Sequence, residues 1–235
     1  MIVYLFEGDY SYKIERSVLA KNPKALTWRD LSGKIIDATK IINVLDRIST
    51  DLYENFNEIY QVYQRKNVYV TDGCETMATD GTCVYLNPLW CYAVIDSAKA
   101  KGKNGTRALE YVLVHEMMHI LFGHCDVVDS EEYQDLFRMN YAMDYEINYV
   151  IENYLYDLNG NLPFKGMTET VGGCYNESFG EEGLTWEEIY PRISIPERVN
   201  PRLETSDEWK KGFADGFYEI MSELRKNRLV ERYEI

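Results

Sequence analysis

The chain has little of several things, and each shortage excludes a class of protein. It carries 25 Lys and Arg against 39 Asp and Glu, a net charge of −14. It therefore lacks the positive surface that binding to phosphate backbones requires, and no nucleic-acid partner is expected. No stretch approaches the roughly 18 consecutive apolar residues of a membrane helix, so no membrane partner is expected either. The opening Met1-Ile2-Val3-Tyr4-Leu5-Phe6 is too short for a secretory leader and has no basic start. The five cysteines (Cys74, Cys83, Cys91, Cys125 and Cys174) are odd in number and include no C-x-x-C pair. That spacing points to reduced thiols in the cytoplasm rather than to a disulfide framework or a Cys-ligated zinc. Histidine is rare: the chain has 3, and all of them lie between positions 115 and 124.

What is present is a large apolar and aromatic content, 46% and 14% with 20 tyrosines, spread over 235 residues. That is enough to bury one substantial core and excludes intrinsic disorder. Three stretches follow, expected to form one compact domain: an N-terminal helical region (1–64), a core carrying the chemistry (65–193), and a linker with a C-terminal helix (194–235). The first begins with an edge strand at 2–6, a short helix near 12–20 and a turn at Asn22-Pro23. Ile41, Ile42, Leu45, Ile48, Leu52, Phe56, Ile59 and Tyr63 then recur at helical steps, which predicts one long amphipathic helix over 36–64. Runs at 67–71, 75–79 and 82–86, punctuated by Asp72-Gly73 and Asp80-Gly81, read as strands, the last two joined as a hairpin. Helices are expected over 89–99, 106–123 and 130–156, the last opened by a capping box of Asp129 and Glu132. The Gly- and Asn-rich 159–183 is too long for an ordinary connection and reads as a loop over the site or a mobile one. Thr185 and Glu188 cap a short helix ending near Pro191, and a C-terminal helix is expected over 206–225. The fold class is α+β, mainly helical, with a small sheet or hairpin packed on the 106–123 helix.

That helix contains His115-Glu116-Met117-Met118-His119. Two histidines four apart on a helix are rotated by only about 40° from each other, so both imidazoles can reach one ion. Glu116 lies about 100° round from His115, close enough to engage a water on that ion without being a ligand. This is the general-base position of the H-E-x-x-H zinc hydrolases, and Zn2+ is the expected cofactor. Polar groups in so apolar a helix would each cost roughly 1–3 kcal/mol unless compensated, and a metal compensates them.

A third ligand has two candidates. Asp144 lies in the next long helix with Asn148 one turn later, so the carboxylate could complete the site while the amide orients a ligating imidazole. His124 is the rival. It lies about 140° from His119 on a continuous helix, so it joins only if Gly123 turns the chain back. The geometry favours Asp144, leaving His124 to donate to the substrate, to an oxyanion or to a carboxylate behind the ligands.

Several segments resemble a family of bacterial metallopeptidase-like domains often found beside a von Willebrand A-like domain. They are Ala78-Thr79-Asp80-Gly81 with Val84-Tyr85-Leu86-Asn87-Pro88; the run from Val114 through His124; Asn140-Tyr141-Ala142-Met143-Asp144-Tyr145-Glu146-Ile147-Asn148; Leu162-Pro163; and Thr185-Trp186-Glu187-Glu188-Ile189-Tyr190. In this order they cover about residues 65 to 193. The resemblance implies a zincin-like fold, a zinc metallopeptidase activity and a peptide or protein substrate. It also implies an antiparallel edge strand that accepts an extended peptide, for which Thr82, Cys83, Val84, Tyr85 and Leu86 are the candidates. The alternative is a non-catalytic binding or scaffold protein in which zinc is structural or absent; a closed four-ligand site using both His124 and Asp144 would mark it.

Overall fold

In the computed structural model, residues 2–7, 10–15, 27–29, 35–70, 76–127 and 135–194 are described. β1 (Ile2–Glu7) pairs antiparallel with β2 (Tyr10–Glu15) and parallel with β5 (Asn67–Val70). β5 in turn pairs parallel with β7 (Cys83–Leu86), which pairs antiparallel with β6 (Met77–Thr79), giving the order β2-β1-β5-β7-β6. A separate antiparallel ladder joins β3 (Thr27–Arg29) to β4 (Ile35–Asp37). The N-terminal region is therefore not helical from its start, and the helix expected over 12–20 is replaced through Glu15 by a strand. Tyr10-Ser11-Tyr12-Lys13-Ile14-Glu15 alternates apolar and polar residues, the strand period. The turn expected at Asn22-Pro23 lies outside the described residues.

The predicted 36–64 helix is two: α1 (Ala38–Asn55) and α2 (Asn57–Tyr63). Phe56 interrupts them with φ −137° and ψ 55°, and its buried ring meets Phe164 at 5.4 Å between centroids. The stripe from Ile41 to Tyr63 is buried in the same core as Val68, Val84, Leu86, Leu109 and Leu113. Ile41 to Tyr63 thus supply one wall of the core that holds the 65–193 chemistry.

The β6–β7 connection is a tight turn centred on Gly81 and Thr82, one residue later than the Asp80-Gly81 dipeptide suggested. Gly81 takes φ +81°, and Asp80 Oδ1 accepts from the Thr82 and Cys83 amides at 2.9 and 2.7 Å. β7 lies between β5 and β6 and all four of its residues are buried. It is not the edge strand. Thr82 sits in the turn, Cys83, Val84, Tyr85 and Leu86 are interior, and among the described strands the edge on this side is Met77–Thr79. The Asn87 amide bonds the Thr76 carbonyl and the Asp80 amide bonds the Cys83 carbonyl, at 2.8 and 3.3 Å. Residues 76, 78 and 80 therefore face β7, and by alternation the backbone groups of Met77 and Thr79 face away from it.

Asn87 then caps α3 (Pro88–Ala100), and Asn104 caps α4 (Gly105–Leu121) by accepting from Thr106 and Arg107. α4 is buried on almost every side. On it Glu110 shares Arg107 with Asp51, both carboxylates 2.7 Å from the same guanidinium nitrogen. Burial, helped by Asp51, pushes the Glu110 pKa up to about 9 against the pull of Arg107. The unfolded chain releases that proton near the ordinary value of 4.5. Glu110's contribution is thus most favourable below pH 4.5 and declines as pH rises toward about 9. Glu110→Gln should stabilise the protein by on the order of 1–3 kcal/mol at pH 8 and by much less at pH 5, read as Tm against pH. A Tm difference that does not change with pH would refute this.

α5 (His124–Val127) follows the turn at Gly123. α6 (Leu136–Tyr154) is capped by Asp135, whose side chain accepts from the Arg138 amide, so the helix begins later than the Asp129 box implied; Asp129 lies outside the described residues. The 159–183 segment carries α7 (Met167–Val171) and α8 (Glu177–Glu181) and is anchored by buried Phe164 and Met167. The Glu152 carboxylate accepts from the Gly166 and Thr168 amides at 2.8 Å each, satisfying the start of α7. α9 (Trp186–Ile189) has the expected Thr185–Glu188 capping box, and Trp186, Ile189 and Ile193 pack on Met139, Ala142 and Met143 of α6.

The described residues all belong to one compact unit, within Met1–Ile195. The helix expected over 206–225 and nearly all of the 194–235 stretch lie outside the described residues. Among the described residues no helix is long and apolar enough to cross a membrane, and none of the four described cysteines is in a disulfide.

Candidate metal centre

His115 and His119 project from α4 toward α6, where Asp144 and Asn148 lie one turn apart. The Nε2 atoms of the two imidazoles are 3.1 Å apart, and Asp144 Oδ1 lies 3.3 Å from His115 Nε2 and 3.2 Å from His119 Nε2. Among the described residues these three side chains form the group able to hold a metal ion.

The residues fit zinc on three counts. Asp144 Oδ1 is buried yet makes no hydrogen bond, although both ring nitrogens stand beside it; buried polar atoms are rarely left so. Four-coordinate zinc with bonds of about 2.0–2.1 Å holds its ligand atoms roughly 3.3 Å apart, close to the spacing found. Finally, the surrounding hydrogen bonds leave the lone pair of His115 pointing at the centre. The Cys174 carbonyl can only accept, so Asn148 Nδ2 donates to it at 2.8 Å, which makes Asn148 Oδ1 the acceptor facing His115 Nδ1 at 2.8 Å. A neutral His115 ring therefore carries its proton on Nδ1, which leaves Nε2 as the nitrogen that would take a metal. The Tyr111 hydroxyl donates to the same amide oxygen and accepts from Thr168. On the carboxylate, Asn140 Nδ2 donates to Asp144 Oδ2 at 3.2 Å.

The titration of the group reflects three polar side chains held close together in a poorly hydrated site. Burial works against charge on His115, but Asp144, joined by Glu116 and Asn148, lifts its pKa to about 9. On His119 burial prevails over Asp144, with His115 and His124 adding to it, and the pKa falls to about 4. Burial would raise Asp144, yet the two imidazoles hold it well below the carboxylate range. Glu116 is raised to about 8, by burial first and by Asp144, against His115 and a hydrogen bond from the Thr79 backbone. That bond sets the Glu116 carboxylate against the open edge of β6. Side-chain exposures are 12% for His115, 10% for His119 and 21% for Asp144, so the group is not wholly sealed from solvent.

His124 is placed elsewhere. Gly123, at φ +73°, turns the chain back, as the sequence required for His124 to approach at all. It arrives on the far side of His119, its Nδ1 3.1 Å from His119 Nδ1 rather than near either Nε2. It is 2% exposed and is not available to a substrate. Sequence reasoning missed Tyr111, Asn140 and Glu146. The first two were legible, since Tyr111-His115-His119 and Asn140-Asp144-Asn148 are both i, i+4 series. The Glu146 contacts with His124 and Trp186 join parts of the chain that no spacing rule connects.

Comparison with protein-family models, with curated proteins and with solved structures gives no match.

Proposed function

We propose that this protein is a zinc-dependent hydrolase that cleaves peptide bonds, acts in the cytoplasm and belongs with the metallopeptidase-like domains it resembles. The observation that carries this reading is the convergence of His115 Nε2, His119 Nε2 and Asp144 Oδ1 within 3.3 Å of one another, with Glu116 at the edge of the same site. Zinc held there would supply Lewis acidity toward a carbonyl and lower the pKa of a water to about 7. Glu116 is the proton carrier: burial raises its pKa to about 8, a cation at the neighbouring ligands would draw it back down, and its carboxylate would then accept a proton from water and pass it to the leaving amine. The Thr79 amide steadies its carboxylate, and Asn148 orients His115.

A peptide substrate would lie extended along β6 and pair with the outward-facing Met77 backbone and Thr79 carbonyl, the Thr79 amide being held by Glu116. A closed structural zinc would need a fourth protein ligand, and His124 faces the wrong nitrogen of His119 to serve. That supports the catalytic reading over the scaffold alternative.

The test is hydrolysis of fluorescently labelled casein, with non-peptide amides assayed in parallel. Activity should vanish on chelation and return with about one equivalent of zinc per chain. Zinc-loaded protein that cleaves only the non-peptide amides overturns the peptidase assignment, and one that cleaves neither favours the scaffold.

A further inference from the structure

We infer that His124 and Glu146 are positioning residues that hold His119 in its metal-binding tautomer; this rests on the metal-centre reading above. An imidazole that binds a metal through Nε2 must carry its proton on Nδ1. His119 Nδ1 faces His124 Nδ1 at 3.1 Å, and two facing nitrogens can share only one proton. His119 therefore donates and His124 accepts, which places the proton of a neutral His124 on Nε2.

His124 Nε2 is buried and makes no hydrogen bond, but it stands 3.6 Å from Glu146 Oε2. That distance is too long for a hydrogen bond and within ion-pair range, so the carboxylate acts through its charge, favouring an N–H over a lone pair at the nitrogen that faces it. Glu146 Oε2 is itself held by the backbone amide of Trp186 at 3.0 Å. The indole of Trp186 lies edge-on to His124 at 6.3 Å and the Phe122 ring flanks it at 5.7 Å, so the ring has little freedom to turn and present the other nitrogen.

The two ligating histidines are thus supported differently. His115 leans on a neutral amide, whereas His119 leans on a second imidazole with a carboxylate behind it. The second arrangement raises the basicity of the ligating nitrogen as well as fixing its direction. It also ties zinc affinity to the seating of α9, since the first amide of that helix holds Glu146.

The experiment uses the full chain, with zinc affinity measured by chelator competition, the visible spectrum of the Co2+-loaded protein, and the Tm of the metal-free protein. Glu146→Gln and His124→Ala should each weaken zinc binding by about 10–100-fold and shift the Co2+ bands, Glu146→Gln at unchanged metal-free Tm and His124→Ala at a lower one because it leaves a cavity beside Phe122 and Trp186. His124→Asn should recover most of the affinity, because its amide oxygen can accept from His119 Nδ1. Nitrogen-15 spectra of the zinc-loaded wild type, which has 3 histidines to assign, should show protons on His119 Nδ1 and His124 Nε2; these spectra decide the matter if the variants do not fold. Zinc affinities within about twofold of wild type with unshifted Co2+ spectra, or a proton on His124 Nδ1, overturn the inference alone. A wild-type chain that binds no zinc overturns the metal-centre reading and this inference together.

Discussion

Asp144→Ala should lose its zinc: elemental analysis after dialysis is expected to fall from about one zinc per wild-type chain to none measurable. The size of the effect follows from what Asp144 contributes. It is the one anionic member of the group and supplies the oxygen that stands 3.2 and 3.3 Å from the two ring nitrogens. Without it a divalent cation would meet two neutral imidazoles and gain no charge compensation in a site where burial penalises every charge. The variant should nevertheless fold, because the hydrogen bond lost with the side chain is the one from Asn140 and the α4 and α6 cores are apolar on either side. Full zinc occupancy in Asp144→Ala, at a Tm close to wild type, would remove Asp144 from the ligand set.

Glu116→Gln should separate binding from chemistry. Zinc content should stay at the wild-type level, since Glu116 is not among the converging ligand atoms. Casein hydrolysis should fall by about 10²–10⁴, the usual contribution of a positioned general base. The amide oxygen of glutamine can still accept from the Thr79 backbone, but the amide cannot take a proton from water. Because burial raises the pKa of Glu116, the neutral amide should also be tolerated without loss of stability. Substantial turnover in this variant, with zinc in place, would mean that another group moves the proton and would refute the mechanism.

The two predictions rest on residues that were legible to different degrees. His115, Glu116 and His119 lie within five consecutive positions of one helix, and helical geometry alone relates them. The same geometry ranks Asp144 above His124 as a third ligand, and in the structure Nε2 of His119 faces Asp144 while its Nδ1 faces His124. That the expected edge strand, 82–86, is an interior one has a signal in the sequence. Cys83-Val84-Tyr85-Leu86 is apolar without alternation, the mark of a strand covered on both faces, whereas Met77-Ala78-Thr79 grades from buried to half-buried along its length.

The sequence by itself determined the local devices: the H-E-x-x-H helix, the β6–β7 hairpin to within one residue, and the Thr185–Glu188 capping box. Each depends on residues within a few positions of one another, where backbone geometry leaves few arrangements. The tertiary structure decided which strand is the open edge, that β1 joins the same sheet beside β5, and that the arm from Glu146 through His124 ends on His119. These depend on strand order and helix packing between residues tens of positions apart. Their relative placement follows from how the whole core buries its apolar surface, not from any periodicity along the chain.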